Sequence, residues 1–498
     1  MTPSLSPRDA WQPLPAAEWN ADTARHLLRR AGWTARPAEV DRATQEGLAA
    51  TLDRLFPAEP PLLEKPRLVS RFEDNAMLVQ RGLLMLKTGD ERLRGQRELQ
   101  ERSRQAVQEL SIKWLQFAAR SEAAAVAKWV LFLSDVYVVS AEKVRNAGVV
   151  YQHFDILARH GFGPAPALAK AVSRSPAMVI YLDLAQSQMK APNENFAREL
   201  FELFLLGEGN YTEADIKEAA RAFTGYRARP DGVFRLEPRQ QDLREKTIFG
   251  ATGKFSGDDV IELAYSQPAA ETFLPREMAK FYLSETPLPA SHLAPLGEAW
   301  RAGGYELSAL VRQFFGSRLF FAPEFRGNLI KSPLQFYLAL VQDLQLDIAP
   351  IPRLTIIPLR QMGQALFYPP NVRGWVGGRQ WINSATITAR RQFVESLFAP
   401  IDENSLNADE LIELVAARSN GIGRFTVTDE PLAPLAKLDP DAAAAQLADN
   451  LLPGSSAPDI RENLQRFIAS GGGDEKQRLR RLRRAAVTLM QSPEYQLC

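Results

Sequence analysis

Four residues on one short stretch carry the most chemistry in this sequence. Asn195, Arg198, Glu199 and Glu202 stand at i, i+3, i+4 and i+7, which is one face of an α-helix. Two carboxylates so placed suit general acid–base work, and an arginine beside them can orient one carboxylate or hold an anionic group. The stretch has its own start and stop. Pro192 cannot continue a helix from upstream, Asn193 can cap the free N–H groups of a first turn, and Gly207 follows the last apolar residue, where a left-handed cap is expected. Phe196, Leu200, Leu203, Phe204 and Leu205 cover the rest of the surface. The polar face has no lysine and the apolar arc is wide, so the face is expected to be buried or to line a cleft. The plainer reading is a solvated face with Arg198 paired to Glu194 and Glu202.

A second chemical cluster lies in the loop over residues 368–383, YPPNVRGWVGGRQWIN. Pro369 and Pro370 stiffen its entry, while Gly374, Gly377 and Gly378 permit backbone geometries that other residues resist. Asn371, Arg373, Trp375, Trp381 and Asn383 combine donors, acceptors and aromatic surface, the makings of an aromatic-walled polar pocket. A loop anchored by buried tryptophans is the plainer reading. The loop cannot shelter Trp375 and Trp381 by itself, so it is expected to meet the polar face of 193–206 in one cleft. Glu199 or Glu202 would then lie within direct or one-water reach of the loop. The candidate site is thus Glu199, Glu202 and Arg198 as reacting groups, with Asn195, Asn371, Arg373, Trp375, Trp381 and Asn383 as substrate-binding groups.

Other motifs point away from cofactors. His26, His153, His160 and His292 show no metal-ligand spacing, so no metal is expected. Gly250–Phe255 looks superficially like a phosphate loop, but its glycines are too close and Phe255 stands where a Ser or Thr must reach magnesium. The basic run from Lys476 to Arg484 has Leu479, Leu482, Ala486 and Leu489 on one stripe. It reads as an amphipathic helix with a charged outer face.

The elements that must position these groups are helical. Residues 1–20 read as an extended arm. Helical periodicity covers 23–31, 37–56, 68–88, 91–119, 123–139, 149–160, 166–173 and 177–185, with a proline-rich linker after residue 56. Thr212–Asp215 is a capping-box start for a helix ending at Gly225, and Ser256–Asp259 starts another. Between them, Tyr226–Arg229, Pro230-Asp231-Gly232 and Val233–Leu236 read as a β-hairpin. The predicted fold is mostly α and multi-helical, with one small hairpin near 226–240. Its expected organisation is an arm over 1–20, a helical core over 21–400, and a helical C-terminal region over 401–498 packed on that core. The last region includes loops at 420–423 and 455–458.

Composition fits a soluble globular chain: 498 residues, 45% hydrophobic, 24% charged, net charge +1. The near-zero balance gives no global field for nucleic acid or an anionic membrane. The single cysteine, Cys498, excludes an intrachain disulfide. The apolar run at 124–139 is too short to span a bilayer and is interrupted by Lys128 and Asp135. The polar start has no apolar signal core, so a cytoplasmic location is expected.

Several stretches together resemble the bacterial domain-of-unknown-function 1800 family. They are His26–Gly32, Asn193–Leu200, Gly209–Asp215, Ala220–Tyr226, Pro369–Trp375, Trp381–Thr386 and Ser492–Gln496, and the resemblance runs over nearly the whole chain. Members of that family are commonly encoded beside a second family, number 1501, that resembles alkaline phosphatases and sulfatases and often carries an export signal. The resemblance therefore implies a phosphatase- or sulfatase-like partner, and leaves co-export with it open. This chain departs from the family at two places. Where many members have Phe-Trp-His-Asn-His-Phe, it has Phe132-Leu133-Ser134-Asp135-Val136-Tyr137. Where many have His-Asp, it has Gln241-Asp242.

Two function classes stand open at this stage. One is a binding or assembly protein whose polar cleft holds a peptide, glycan or protein partner. The other is a hydrolytic enzyme using Glu199 or Glu202 as general acid or base, with Arg198 orienting and Asn371 and Arg373 positioning substrate. The absence of a nucleophile–base pair or metal set puts binding first.

Overall fold

Side-chain caps set where the helices begin. The computed structural model describes residues 3–74, 82, 89–229, 231–453, 458–470 and 474–498. In it, Asn20, Thr212, Ser256, Asn383 and Asn407 each close a capping box on the helix that follows. Asn193 accepts from the Asn195 N–H at 3.0 Å, and Gly207 takes φ +85° at the other end of that stretch. Both signals act as the sequence predicts. The fold is mostly α. The helix expected over 68–88 is described only at 67–74 and residue 82, and the remainder lies outside the described residues, as do residues 454–457 of the expected 455–458 loop.

The core is organised around Ala124–Val136. Every residue of this helix except Asp135 is buried. Ala21–Ala31, Gly89–Ala118, Ala147–His160 and Pro268–Tyr282 pack on its sides. Phe132 meets Phe281 at 5.4 Å and Tyr282 at 5.7 Å, edge-on or tilted geometry that suits ring quadrupoles. No helix of the described residues is long and apolar enough to cross a membrane.

The 193–206 stretch is not one α-helix. Glu194–Glu199 is α-helical, and Leu200–Leu205 widens into a π-helical turn. A π turn adds a residue per turn and breaks the i, i+4, i+7 alignment. The predicted single face therefore divides. Asn195 donates to the Leu182 carbonyl at 3.2 Å, Arg198 makes a two-pronged pair with Glu213 at 2.7 and 2.8 Å, and Glu202 points elsewhere. Arg198 keeps a 3.6 Å contact with Glu194 but makes none with Glu202.

The hairpin at 226–236 forms, with Tyr226 opposite Leu236 and Ala228 opposite Phe234. A second hairpin pairs Lys246–Ile248 with Ala251–Gly253. Its turn residues Phe249 and Gly250 have φ of +49° and +79°, the doubly left-handed turn that matches strand twist. Of the two glycines in the phosphate-loop look-alike, Gly250 therefore belongs to a tight turn and Gly253 ends the strand after it.

The C-terminal basic run also serves the fold. The Glu475–Gln491 helix packs on Ser384–Leu397. Arg478 donates to the Ala436 and Leu438 carbonyls, Arg481 to the Ile468 carbonyl, and Arg483 to the Phe398 and Val427 carbonyls. All but the Val427 carbonyl, which belongs to a loop, lie at or just beyond helix C-termini, where carbonyls lack partners within their own helices. The predicted outer face is thus partly turned inward.

Candidate functional site

An aromatic-walled concavity lies between three elements. Ala124–Val136 gives Lys128, Phe132 and Asp135; Pro268–Tyr282 and the residues after it give Glu277, Lys280, Phe281 and Glu285; the loop gives Arg373, Trp375, Val376 and Trp381. Arg30, Trp33, Gln335, Gln364 and Cys498 also line it. Its volume is about 300 Å³, at the lower end for a small-ligand pocket.

Lys128 and Asp135 are seven residues apart, so both fall on the cavity side of the buried helix. Lys128 Nζ donates to the Gly32 carbonyl at 2.8 Å and the Arg29 carbonyl at 3.4 Å, and sits over the Trp33 ring at 5.4 Å. Burial pushes this amine down to about 7. Asp135 Oδ1 accepts from the Trp375 main-chain N–H at 3.0 Å. Burial drives its carboxyl up to about 7, with the Trp375 N–H and Lys280 opposing and Glu277 reinforcing. A carboxyl half-protonated near neutrality in an aromatic pocket can accept, donate or pass a proton.

The loop's glycines explain how it lies over this helix. A Cβ at Gly374 would stand 2.1 Å from Asp135 Oδ1, and one at Gly378 would stand 2.5 Å from Glu285. Both have left-handed φ, +76° and +67°. The Arg379 N–H reaches Glu285 Oε2 at 3.3 Å. Two carboxylates from separate elements therefore hold the strap by its backbone, and only glycine lets the backbone approach so closely. Trp381 is buried, and its ring lies against Gly363 at 3.8 Å from where a Cβ would stand.

Arg373 joins this cavity to the 193–206 stretch. Its Nη2 donates to Glu202 Oε1 and Glu208 Oε1, each at 2.8 Å. Glu202 also accepts from the Tyr211 hydroxyl at 2.8 Å. The loop and the helix thus meet in direct contact through Glu202. Glu199 is half-buried, and burial and the neighbouring Glu202 hold its carboxyl above the usual range. Among the residues singled out from sequence, Arg373, Trp375 and Trp381 line the cavity. Asn371 Oδ1 accepts from the Arg373 N–H at 2.9 Å, and Asn383 caps the following helix through Thr386. Asn195 is tied to Leu182 and Arg198 to Glu213.

Sequence reasoning passed over Asp135 and Lys128. The available signal was their seven-residue spacing as the two charges within an otherwise apolar helix. Three of the histidines serve the core. His26 Nε2 donates to the Phe320 carbonyl, His153 Nε2 to the Tyr137 carbonyl and His292 Nε2 to the Leu5 carbonyl. Burial holds His153 down to about 4, so its Nδ1 accepts from the Ser175 hydroxyl.

A family model described as "Protein of unknown function (DUF1800)" matches residues 26–497. The chain belongs to that family. No curated protein and no solved structure matches it. Three of the seven stretches that carry the DUF1800 resemblance meet at the cavity. His26–Gly32 supplies Arg30, Pro369–Trp375 supplies Arg373 and Trp375, and Trp381–Thr386 supplies Trp381. The segment in which this chain departs from the DUF1800 pattern supplies Asp135 and Val136. At the second departure Gln241 stands in place of the histidine, and the Asp242 beside it, which keeps to the pattern, accepts from Arg221 and Arg244 and donates its N–H to the Thr224 hydroxyl.

Proposed function

We propose that this DUF1800 chain is a binding or assembly protein that takes one side chain or one small ring of its partner into the cavity under the 373–381 strap. Asp135 carries this reading. It is a desolvated carboxyl in an aromatic-walled concavity whose bond to the Trp375 N–H uses one oxygen, and such groups concentrate at binding and reaction sites. The cavity volume favours a single inserted group over an extended chain. The partner expected from the family resemblance, a phosphatase- or sulfatase-like protein, belongs with this reading.

Gly377→Phe is the perturbation of choice. Gly377 lines the cavity, has no left-handed φ, and its Cβ would meet only Trp381 Nε1 at 3.7 Å. The variant is therefore expected to fold, which a melting curve verifies, and its ring to fill the space. Co-purification with the partner is expected for the wild type and strongly reduced for Gly377→Phe. No recovery by the wild type, with both proteins folded, removes the partner; equal recovery by the variant removes the cavity.

A carboxylate enzyme is the second reading, favoured by the raised carboxyl of Glu199 beside Glu202 and Arg373. It expects hydrolysis by the chain alone from a panel of phosphate, sulfate and carboxylic esters, lost in Glu199→Gln. Turnover that survives Glu199→Gln and Glu202→Gln rules out these two residues.

A further inference from the structure

A separate concavity, of about 410 Å³, lies where the Gly89–Ala118 helix meets the short Ala141–Val144 helix and the end of Pro352–Gln361. Three guanidinium groups line it, Arg104, Arg145 and Arg360, against one carboxylate, Glu142. Surface arginines in this chain are commonly matched by a carboxylate, and Arg104 is matched by Glu101 at 2.8 Å. Arg145 and Arg360 have no ion-pair partner among the described residues. Arg145 Nε donates to the Glu142 carbonyl at 3.1 Å, a bond that does not use its two terminal nitrogens.

The walls are held in place from both sides. The Ala141 N–H donates to the Phe367 carbonyl at 2.9 Å, joining the short helix to the segment that carries Tyr368. The Ser103 hydroxyl accepts from the Ala147 N–H at 3.0 Å and fixes the long helix against it. Tyr368 is partly buried in the cleft, where Arg104 and Arg360 act on its hydroxyl and Glu142 and Glu101 oppose them. Three arginines and a phenol thus line one cleft, and two of the arginines have no carboxylate partner among the described residues.

We propose that this cleft binds the tetrahedral oxyanion of a phosphate or sulfate monoester, with Arg145 and Arg360 as the principal donors and the Tyr368 ring against the ester's organic part. Planar guanidinium forks match tetrahedral oxyanions with two parallel N–H bonds. The space exceeds a bare anion and suits a small esterified molecule. The site is independent of the cavity under the strap and does not rest on the function proposed for it.

Calorimetric titration of the full chain with phenyl phosphate and phenyl sulfate tests the assignment. Binding of one or both is expected in the wild type, weakening as salt is raised. Binding of both assigns any tetrahedral oxyanion ester, and binding of phenyl phosphate alone assigns the dianion. Arg145→Gln/Arg360→Gln is expected to weaken binding by about tenfold or more, since each charged hydrogen bond contributes about that much. Arg235→Gln, on the exposed hairpin, is expected to leave it unchanged. All these side chains are exposed, and melting curves verify that the variants fold. Absence of heat with both probes at millimolar concentration, or equal binding by the double variant, overturns the proposal.

Discussion

Replacing Gly374 by alanine tests how the strap is held. Gly374 has φ +76°, where a Cβ costs about 1–2 kcal/mol from backbone sterics alone. That Cβ would also stand 2.1 Å from Asp135 Oδ1, 2.9 Å from its Cγ and 3.2 Å from its carbonyl oxygen. Asp135 sits on a buried helix that cannot retreat, so the strap must lift. Lifting breaks the 3.0 Å bond from the Trp375 N–H, which contributes about 0.5–1.5 kcal/mol with the carboxyl protonated and about 1.5–3 kcal/mol with it ionised. With the carboxylate formed, the expected cost is about 2.5–5 kcal/mol, localised to the strap. Two substitutions separate the contributions. Gly209→Ala has φ +82° with nothing within 4 Å of the Cβ, so it reads the backbone cost alone, about 1–2 kcal/mol. Gly377→Ala has neither strain nor clash and is expected to stay within about 0.5 kcal/mol of wild type. Urea unfolding gives the global cost. Hydrogen exchange over a peptide spanning 369–383 gives the local opening free energy, which should fall by most of the total in Gly374→Ala. If Gly374→Ala costs no more than Gly209→Ala and leaves that peptide's exchange unchanged, the clasp between Asp135 and the strap is wrong.

The two perturbed cavity groups give opposite pH signatures. Asp135 is raised from 3.8 to about 7 in the folded chain, so the folded state binds its proton more tightly than the unfolded chain. Wild-type stability relative to Asp135→Asn should therefore fall as pH rises from about 4 to about 7, by on the order of 4 kcal/mol. Lys128 is lowered from 10.5 to about 7, so the unfolded chain holds that proton more tightly. Wild-type stability relative to Lys128→Met should rise between about pH 7 and pH 10. Urea midpoints across pH for the three proteins check both, and a flat difference in either window refutes the corresponding assignment.

Local signals in the sequence were read well, and distant partners were not. Asn193, Thr212 and Ser256 announced helix starts because a cap acts within three residues of itself. Pro230-Asp231-Gly232 announced the first hairpin for the same reason. The strands of both hairpins are three residues long, too short for alternation to register, and the second escaped because its turn, Phe249-Gly250, has no Asn or Asp before the glycine. The contact between Arg373 and Glu202 followed from a simple need: a loop with two tryptophans must pack on something. What the loop packs on most closely, Asp135 and Glu285, was invisible, because nothing local to Gly374 or Gly378 names a carboxylate far away in sequence. Asp135 itself read as an interruption of an apolar run. Its burial is a tertiary fact, and so is its chemistry. The π turn left no mark either, since Leu-Phe-Glu-Leu-Phe-Leu suits an α-helix equally.

That turn at Leu200–Leu205 bears on how the region can change over generations. A π turn is equivalent to one residue inserted into an α-helix. A relative lacking that residue retains both ends, the asparagine cap and the terminal glycine, and closes the turn as ordinary α-helix. With the missing residue ahead of position 202, everything beyond it rotates by about 100°, which carries the glutamates at positions 202 and 208 away from Arg373. The arginine's charge would lose both of its carboxylates at a stroke. Helix length and loop charge are therefore inherited together: lineages one residue shorter between the cap and the glycine should also have replaced the arginine, and a gap there marks chains in which the strap is anchored by other means.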